Sequence, residues 1–227
     1  MDKGDGRNFF QIIFVLISET MLKSLCGRGG YFLKNRSGFA LYTCVVGLIV
    51  GVFSVASDHL PYTRVHITLF QFIRSYVAVM VNSLPFWFIF AMVPGFSFAK
   101  DLKSAMFAGG IHTIIAITYY FVIGYFFDDN PVKPTINDQV RVFVSWYGAS
   151  AIGGVAGGAA GFMFKRNPFV LIIVMLGLLL QLILSGPESW RNELGIAQNL
   201  TFCLMVVGFA AYLMFIWKRK KSNYSSA

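Results

Sequence analysis

Charge is what this chain of 227 residues has least of: only 13% of them are Asp, Glu, Lys or Arg. A soluble domain usually carries about 25% charged residues. Half that density leaves too little charge to coat a water-facing surface, which excludes an ordinary soluble globule. Cysteine is scarce too. Cys26, Cys44 and Cys203 show neither metal-ligand nor redox spacing. Cys44 and Cys203 fall in apolar stretches, where a thiol behaves as a small apolar group, and Cys26 reads as an ordinary free thiol. Walker A, HExxH and GxSxG motifs are missing. No pair of carboxylates lies inside an apolar run, so an aspartyl intramembrane protease lacks its dyad. Asp128-Asp129 sits in a hydrophilic connection and reads as solvated loop. These absences argue against an enzyme, a metal site and a bound cofactor.

What the chain has in abundance is long apolar runs. Residues 39–57, 75–99, 104–127, 142–164, 168–186 and 195–217 contain no Asp, Glu, Lys or Arg. A helix needs about 20 residues to cross ~30 Å of hydrocarbon, so each run is of spanning length. In lipid every backbone N–H and C=O must be paired within the protein, which favours helices. The alternation of a lipid-facing barrel strand is not seen. The sequence therefore predicts an all-α polytopic bundle with about six spans: 38–57, 69–95, 104–127, 140–164, 168–186 and 195–217.

The net charge of +9 invites a nucleic-acid reading. Mapping the charges onto six spans removes it. With the N-terminus inside, 14 of the 19 Lys and Arg residues fall on the inner side, Lys100, Lys103, Lys165, Arg166 and the Lys218–Lys221 cluster among them. The outer side takes Asp58, Asp128, Asp129, Asp138, Glu188 and Glu193. Short loops rich in Lys and Arg stay cytoplasmic, so both termini are expected there. The basic excess then serves topology and contact with anionic lipid, not nucleic acid.

Residues 1–37 form a cytoplasmic segment in this reading. Within it, 9–25 (FFQIIFVLISETMLKSL) is apolar but interrupted by Glu19 and Lys23, with Gln11, Ser18 and Glu19 near one helical face. It reads as an amphipathic helix lying in the interface, with a seventh span as the competing reading. No small-residue cleavage pattern follows it, which speaks against a cleaved signal. Residues 218–227 form a basic cytoplasmic tail. No extramembrane piece is long enough to build a core of its own. In the second span Pro85 follows Asn82-Ser83 and should kink the helix. The fourth span holds the densest run of small residues, from Gly148 to Gly161. Gly153, Gly154, Gly157, Gly158 and Gly161 include pairs four apart, which would lay a smooth strip along one helix face for close packing.

Asn82-Ser83, Trp87, Ala91, Gly95, Ala105, Ala108-Gly109, Tyr119-Tyr120, and Trp146 leading into the run to Gly161 occur in an order that resembles a family of small bacterial multi-span membrane proteins with no assigned function. The resemblance covers roughly residues 80–165. It implies a bacterial cytoplasmic (inner) membrane protein and supplies no activity.

Polar groups inside lipid are the natural functional candidates. Arg74 is the one charged residue set well inside a span, Arg141 lying at the very edge of 140–164, and snorkelling to the outer headgroups competes with an anion-binding role. Asn82 falls near mid-depth, as inter-helix glue or a solute contact. His112, in the inner half of the third span, is a proton-relay candidate set against a hydrogen-bonded structural histidine. Tyr76, Tyr119, Tyr120, Arg141, Trp146, Tyr147, Gln181, Gln198 and Asn199 share the outer half with Arg74. That coincidence of depth points to an outward-facing polar cavity for a small-molecule ligand; an interfacial aromatic belt is the plainer alternative. Two functions follow. The first is transport or solute binding. The second is a non-catalytic accessory, regulatory or immunity subunit that meets other membrane subunits in the bilayer.

Overall fold

The computed structural model describes residues 33, 35–60, 68–127 and 135–225, the side chains at 136, 220 and 222–225 aside. The expected interfacial helix at 9–25, Cys26, Asp128 and Asp129 lie outside these. The described residues are all-helical: α1 Arg36–Asp58, α2 Leu69–Val81, α3 Leu84–Ser97, α4 Leu102–Phe127, α5 Ile136–Phe164, α6 Leu171–Ser185 and α7 Glu193–Ser225. Single 3₁₀ turns, Pro168–Val170 and Pro187–Trp190, precede α6 and follow it.

Local chemistry explains the boundaries. Asn35 caps α1 by accepting from the Gly38 N–H at 2.9 Å. Thr68 and Gln71 form a reciprocal capping box at the start of α2, the arrangement that satisfies two orphan donors at once. Thr135 accepts from the Asp138 N–H at 3.3 Å and opens α5. Between α5 and the following 3₁₀ turn, Asn167 accepts from Phe169 N–H at 3.1 Å.

Glycine contacts give the directions of the central helices. Gly47 lies against Ile115 and Tyr119, and Gly51 against Tyr119 and Tyr120, so α1 and α4 run parallel. Gly158 faces Ala105 and Gly154 faces Gly109, so α5 runs back along α4. Gly157 meets Ala91 and Gly161 meets Met92, which sets α3 parallel to α5. Half of the apolar window of α4 is buried but only 11% of that of α7, so α4 is the centre and α7 the periphery. α6 and α7 pack on the rest through an apolar cluster in which Leu178 and Phe202 are fully buried beside Val174, Met80 and Met92.

Among the described residues four helices are long and apolar enough to cross a membrane: Arg36–Asp58, Leu102–Phe127, Pro168–Ser185 and Glu193–Arg219. A fifth span results if α2 and α3, bent by 64°, are counted together. The expected fourth span, 140–164, lies in α5, which has 29 residues but is not among them. Its polar first turns and its glycines, which bury almost no apolar area, dilute it. Large apolar side chains point outward along α6 and α7, including Ile183, Leu184, Leu204, Val207 and Phe215. A contiguous exposed apolar surface of this kind suits hydrocarbon and not water.

Candidate functional site at a broken helix

The expected second span, 69–95, is two helices. Pro85 has no N–H, so the Val81 carbonyl would have no donor in a continuous helix. The chain leaves the helix at Asn82-Ser83, where Ser83 takes an extended conformation (φ −78°, ψ 144°) and restarts it as α3. The break frees carbonyls that lipid cannot satisfy. Neighbouring groups take them up. The Ser83 hydroxyl donates to Met80 O at 2.7 Å. Gln198, from α7, donates through Nε2 to Val79 O at 3.3 Å. Lower in α3, Pro94 leaves Phe90 O without its usual partner, and the Tyr42 hydroxyl of α1 donates to that oxygen at 2.9 Å. The Pro94 defect is thus met by a polar side chain from another helix, and the break before Pro85 draws a second one, Gln198, to its edge.

Asp58 sits at the same place. It is the last residue of α1, whereas its charge alone would assign it to the connection beyond. Asn82 Nδ2 donates to its Oδ1 at 3.1 Å, and the Tyr120 hydroxyl donates to its Oδ2 at 2.7 Å. One exposed carboxylate therefore joins α1, the α2–α3 break and α4. Asn82 is placed near mid-depth by its position in a 69–95 span. In the structure Asn82 stands between the 13 residues of α2 and the 14 of α3, beside Asp58 at the end of α1.

The other candidates are divided among several places. Tyr76 hydrogen-bonds Thr201 at 2.6 Å and ties α2 to α7. Tyr147 meets Thr118 at 3.0 Å between α4 and α5. Tyr119 packs over Gly47 and Gly51 and reaches Cys44. Asn199 is fully buried and donates to Ser189 Oγ at 2.8 Å, holding the 3₁₀ turn before α7. Gln181 donates to Ser185 Oγ at 3.3 Å. It also lines a cavity of about 230 Å³ between α3 and α6, where the other walls are apolar, Leu84, Phe88, Val174 and Leu180 among them. Arg74, Arg141 and Trp146 lie on exposed faces. His112 is 1% exposed, with its ring 5.0 Å from that of Tyr42. Shared depth therefore brings Asn82 and Tyr120 together, through Asp58, but spreads the rest. Among the described residues no group of three or more His, Cys, Asp or Glu side chains could hold a metal ion.

Of the glycines expected to pack, Gly154, Gly157, Gly158 and Gly161 lie against α3 or α4, while Gly153 has nothing within 4 Å of an added Cβ. Sequence spacing pairs Gly153 with Gly157 equally well; only the phase of the helix separates them.

No protein family, curated protein or solved structure matches this chain. The site is read from its own geometry.

Residues the sequence reading left aside include Asp58, Thr201 and Tyr42. Thr201 sits in an apolar helix and carries no pattern of its own. Tyr42 had one available signal, a proline in the facing helix whose freed carbonyl needs a donor.

Gln198→Leu is expected to cost about 1–2 kcal/mol, because it leaves Val79 O part-buried and unpaired. Unfolding titrated with a denaturing detergent would report it. A loss no larger than that of Leu200→Ala, at an exposed position on the same helix, would deny Gln198 this role.

Proposed function

We propose that the chain is a transport-type integral membrane protein, working at the polar notch formed by Asp58, Asn82 and Tyr120. The supporting observation is the span broken at Asn82-Ser83, where an exposed carboxylate and freed backbone groups meet. Discontinuous spans recur where membrane transporters bind solutes or ions, because half-helix ends supply oriented dipoles and unpaired backbone groups. The notch replaces the wide outward cavity expected from depth alone. A small solute or ion fits it better than a bulky ligand.

In the same proposal α1, the α2–α3 pair, α4, α5, α6 and α7 make six spans. Lys100, Lys103, Lys165, Arg166, Lys218, Arg219 and Lys221 gather at one end of the bundle, as Lys165 Nζ donating to Ala99 O at 3.0 Å illustrates. That end is cytoplasmic by the positive-inside rule, and the same rule assigns both termini to the cytoplasm. The resemblance over residues 80–165 favours a bacterial inner membrane.

A non-catalytic accessory subunit is the second reading. It is favoured by the closely packed α3–α4–α5 core and by the apolar faces of α6 and α7, which could receive another membrane subunit.

Labelling separates the two. In a background with Cys26, Cys44 and Cys203 replaced by Ala, Asn82→Cys is expected to react with a membrane-impermeant thiol reagent added outside intact cells. Leu178→Cys, in the packed cluster, is the unreactive control. Protection of position 82 from outside would count against the notch and leave the accessory reading.

A further inference from the structure

We propose that the seam between α1 and α4 is a proton path, running from Asp58 to His112, with Tyr119 as its closing element. The inference deepens the transport reading by naming the ion moved. Thr43, Gly47, Gly51, Ser54 and Asp58 recur at three- to four-residue spacing, so they share one face of α1. Because α1 and α4 run parallel, that face looks onto His112, Ala116, Tyr119 and Tyr120.

Buried polar atoms without partners are rare and costly in a folded protein. Five such side-chain atoms occur among the described residues, and three lie on these two helices: Thr43 Oγ1, Ser54 Oγ and His112 Nδ1. Thr43, Ser54 and His112 are all 0–1% exposed. Two are positioned to share one local group: the parallel register that sets Gly47 beside Ile115 puts Thr43 about level with His112. Orphans of this kind are met by small polar guests, and water is the guest that fits a narrow helix seam. Ser54 stands one turn below Asp58, whose carboxylate is exposed and held by Tyr120 and Asn82. Hydrogen-bonding groups therefore lie at both ends of the seam.

Between them the seam is shut. A Cβ added to Gly51 would stand 2.7 Å from Tyr119 Cβ, and one on Gly47 would stand 3.4 Å from the Tyr119 ring. The two glycines let Tyr119 lie flat across α1, with Val50 and Ala116 sealing the same level. The contact at Gly47 is with the Tyr119 ring and that at Gly51 with Tyr119 Cβ and the α4 backbone, so joining the two polar ends takes rotation of the ring together with a slight parting of α1 from α4. The other titratable groups facing the seam are Tyr42, whose hydroxyl is committed to Phe90 O, Cys44 beside Tyr119, and His59, whose Nδ1 contacts Val55 O. Trp87 and Phe90 of α3 complete the wall without charge.

The proton balance is simple. A proton taken from outside water by the Asp58 carboxylate passes through bound water to His112 Nδ1 and makes an imidazolium. The imidazolium gives its Nε2 proton to water admitted from the basic end, leaving the neutral Nδ1–H tautomer, and a tautomer exchange resets the ring. One proton crosses per cycle, and a counter-ion must cross separately to balance charge.

The test uses the purified full chain in phosphatidylethanolamine–phosphatidylglycerol vesicles loaded with pyranine. Valinomycin and a potassium gradient supply the driving voltage. Wild-type vesicles are expected to acidify well above protein-free vesicles. His112→Phe and Asp58→Asn should each cut that excess at least tenfold, Ser54→Ala should cut it severalfold, and Tyr119→Ala should raise it severalfold. His112→Gln, which keeps a polar group of similar size, guards against a folding artefact and should be as slow as His112→Phe. Equal flux in wild type and His112→Gln, or no flux in wild type, would overturn the path. External labelling at Asn82→Cys with no flux would retain the notch and discard only the proton.

Discussion

Gly158→Leu is expected to prevent the bundle from assembling. A Cβ at Gly158 would overlap the Ala105 carbonyl oxygen and crowd Gly109 Cα, all of it backbone of the facing helix. Overpacking a core ordinarily costs about 1–3 kcal/mol when side chains can yield. Here the yielding part would be α4, the helix at the centre of the molecule, so the loss should be about 3 kcal/mol or more by the upper end of that range. A dispersed or void-volume profile on size exclusion in mild detergent, or loss of the detergent-unfolding transition, is the readout. Gly148→Leu and Gly208→Leu are the matched controls, since nothing lies within 4 Å of a Cβ at either. They should elute and unfold as wild type. A Gly158→Leu protein indistinguishable from these controls would show that α5 does not lie against α4 as described.

Tyr42→Phe is expected to destabilise by about 2 kcal/mol, within the range for a buried group stripped of its partner. The phenol removed is the one that donates to Phe90 O. The reason is specific to Pro94, which lies inside α3 and cannot supply the ordinary helix donor. Pro94→Ala restores that N–H, so the Tyr42→Phe loss should shrink to a few tenths of a kcal/mol in the Pro94→Ala background. Four proteins unfolded in parallel complete the cycle. An equal loss in both backgrounds would mean that the Tyr42 hydroxyl does not act through the Phe90 carbonyl, since the ring packed against His112 and Phe98 is kept in Phe.

These two experiments address different physics. Helices in lipid gain nothing from hiding apolar surface from one another, because lipid tails are equally apolar. Close backbone approach and satisfied polar groups must hold them instead. Gly158 stands for the first and Tyr42 for the second. The same division explains the lightly buried pair α6–α7, which touches the rest through one apolar cluster and through Tyr76–Thr201 and Gln198–Val79.

Several elements were legible in the residues alone. The uncharged run 39–57 differs from α1 by three residues at one end and one at the other, and 104–127 differs from α4 by two. Such agreement follows because a charged residue sets the limit of each run and hydrocarbon tolerates few charges. Asp58 shows where that reasoning stops. Its charge marks the end of an apolar run, yet it remains helical and turns its carboxylate onto Asn82 and Tyr120. Pro85 likewise announces a defect without saying whether the helix kinks or breaks. A 64° break required Ser83 to cap itself on Met80 and Gln198 to arrive from a helix more than a hundred residues away.

The amino-acid order by itself determined that the chain is helical and apolar enough for a membrane, because hydrophobic run length and charge placement are local quantities. It also marked the glycines from 153 to 161 as a packing surface. Which of those glycines touch, which polar groups meet, and that Asp58 is the meeting point were decided only by tertiary structure. Those outcomes depend on helix phase and on which helix stands beside which, and neither is encoded in any single segment.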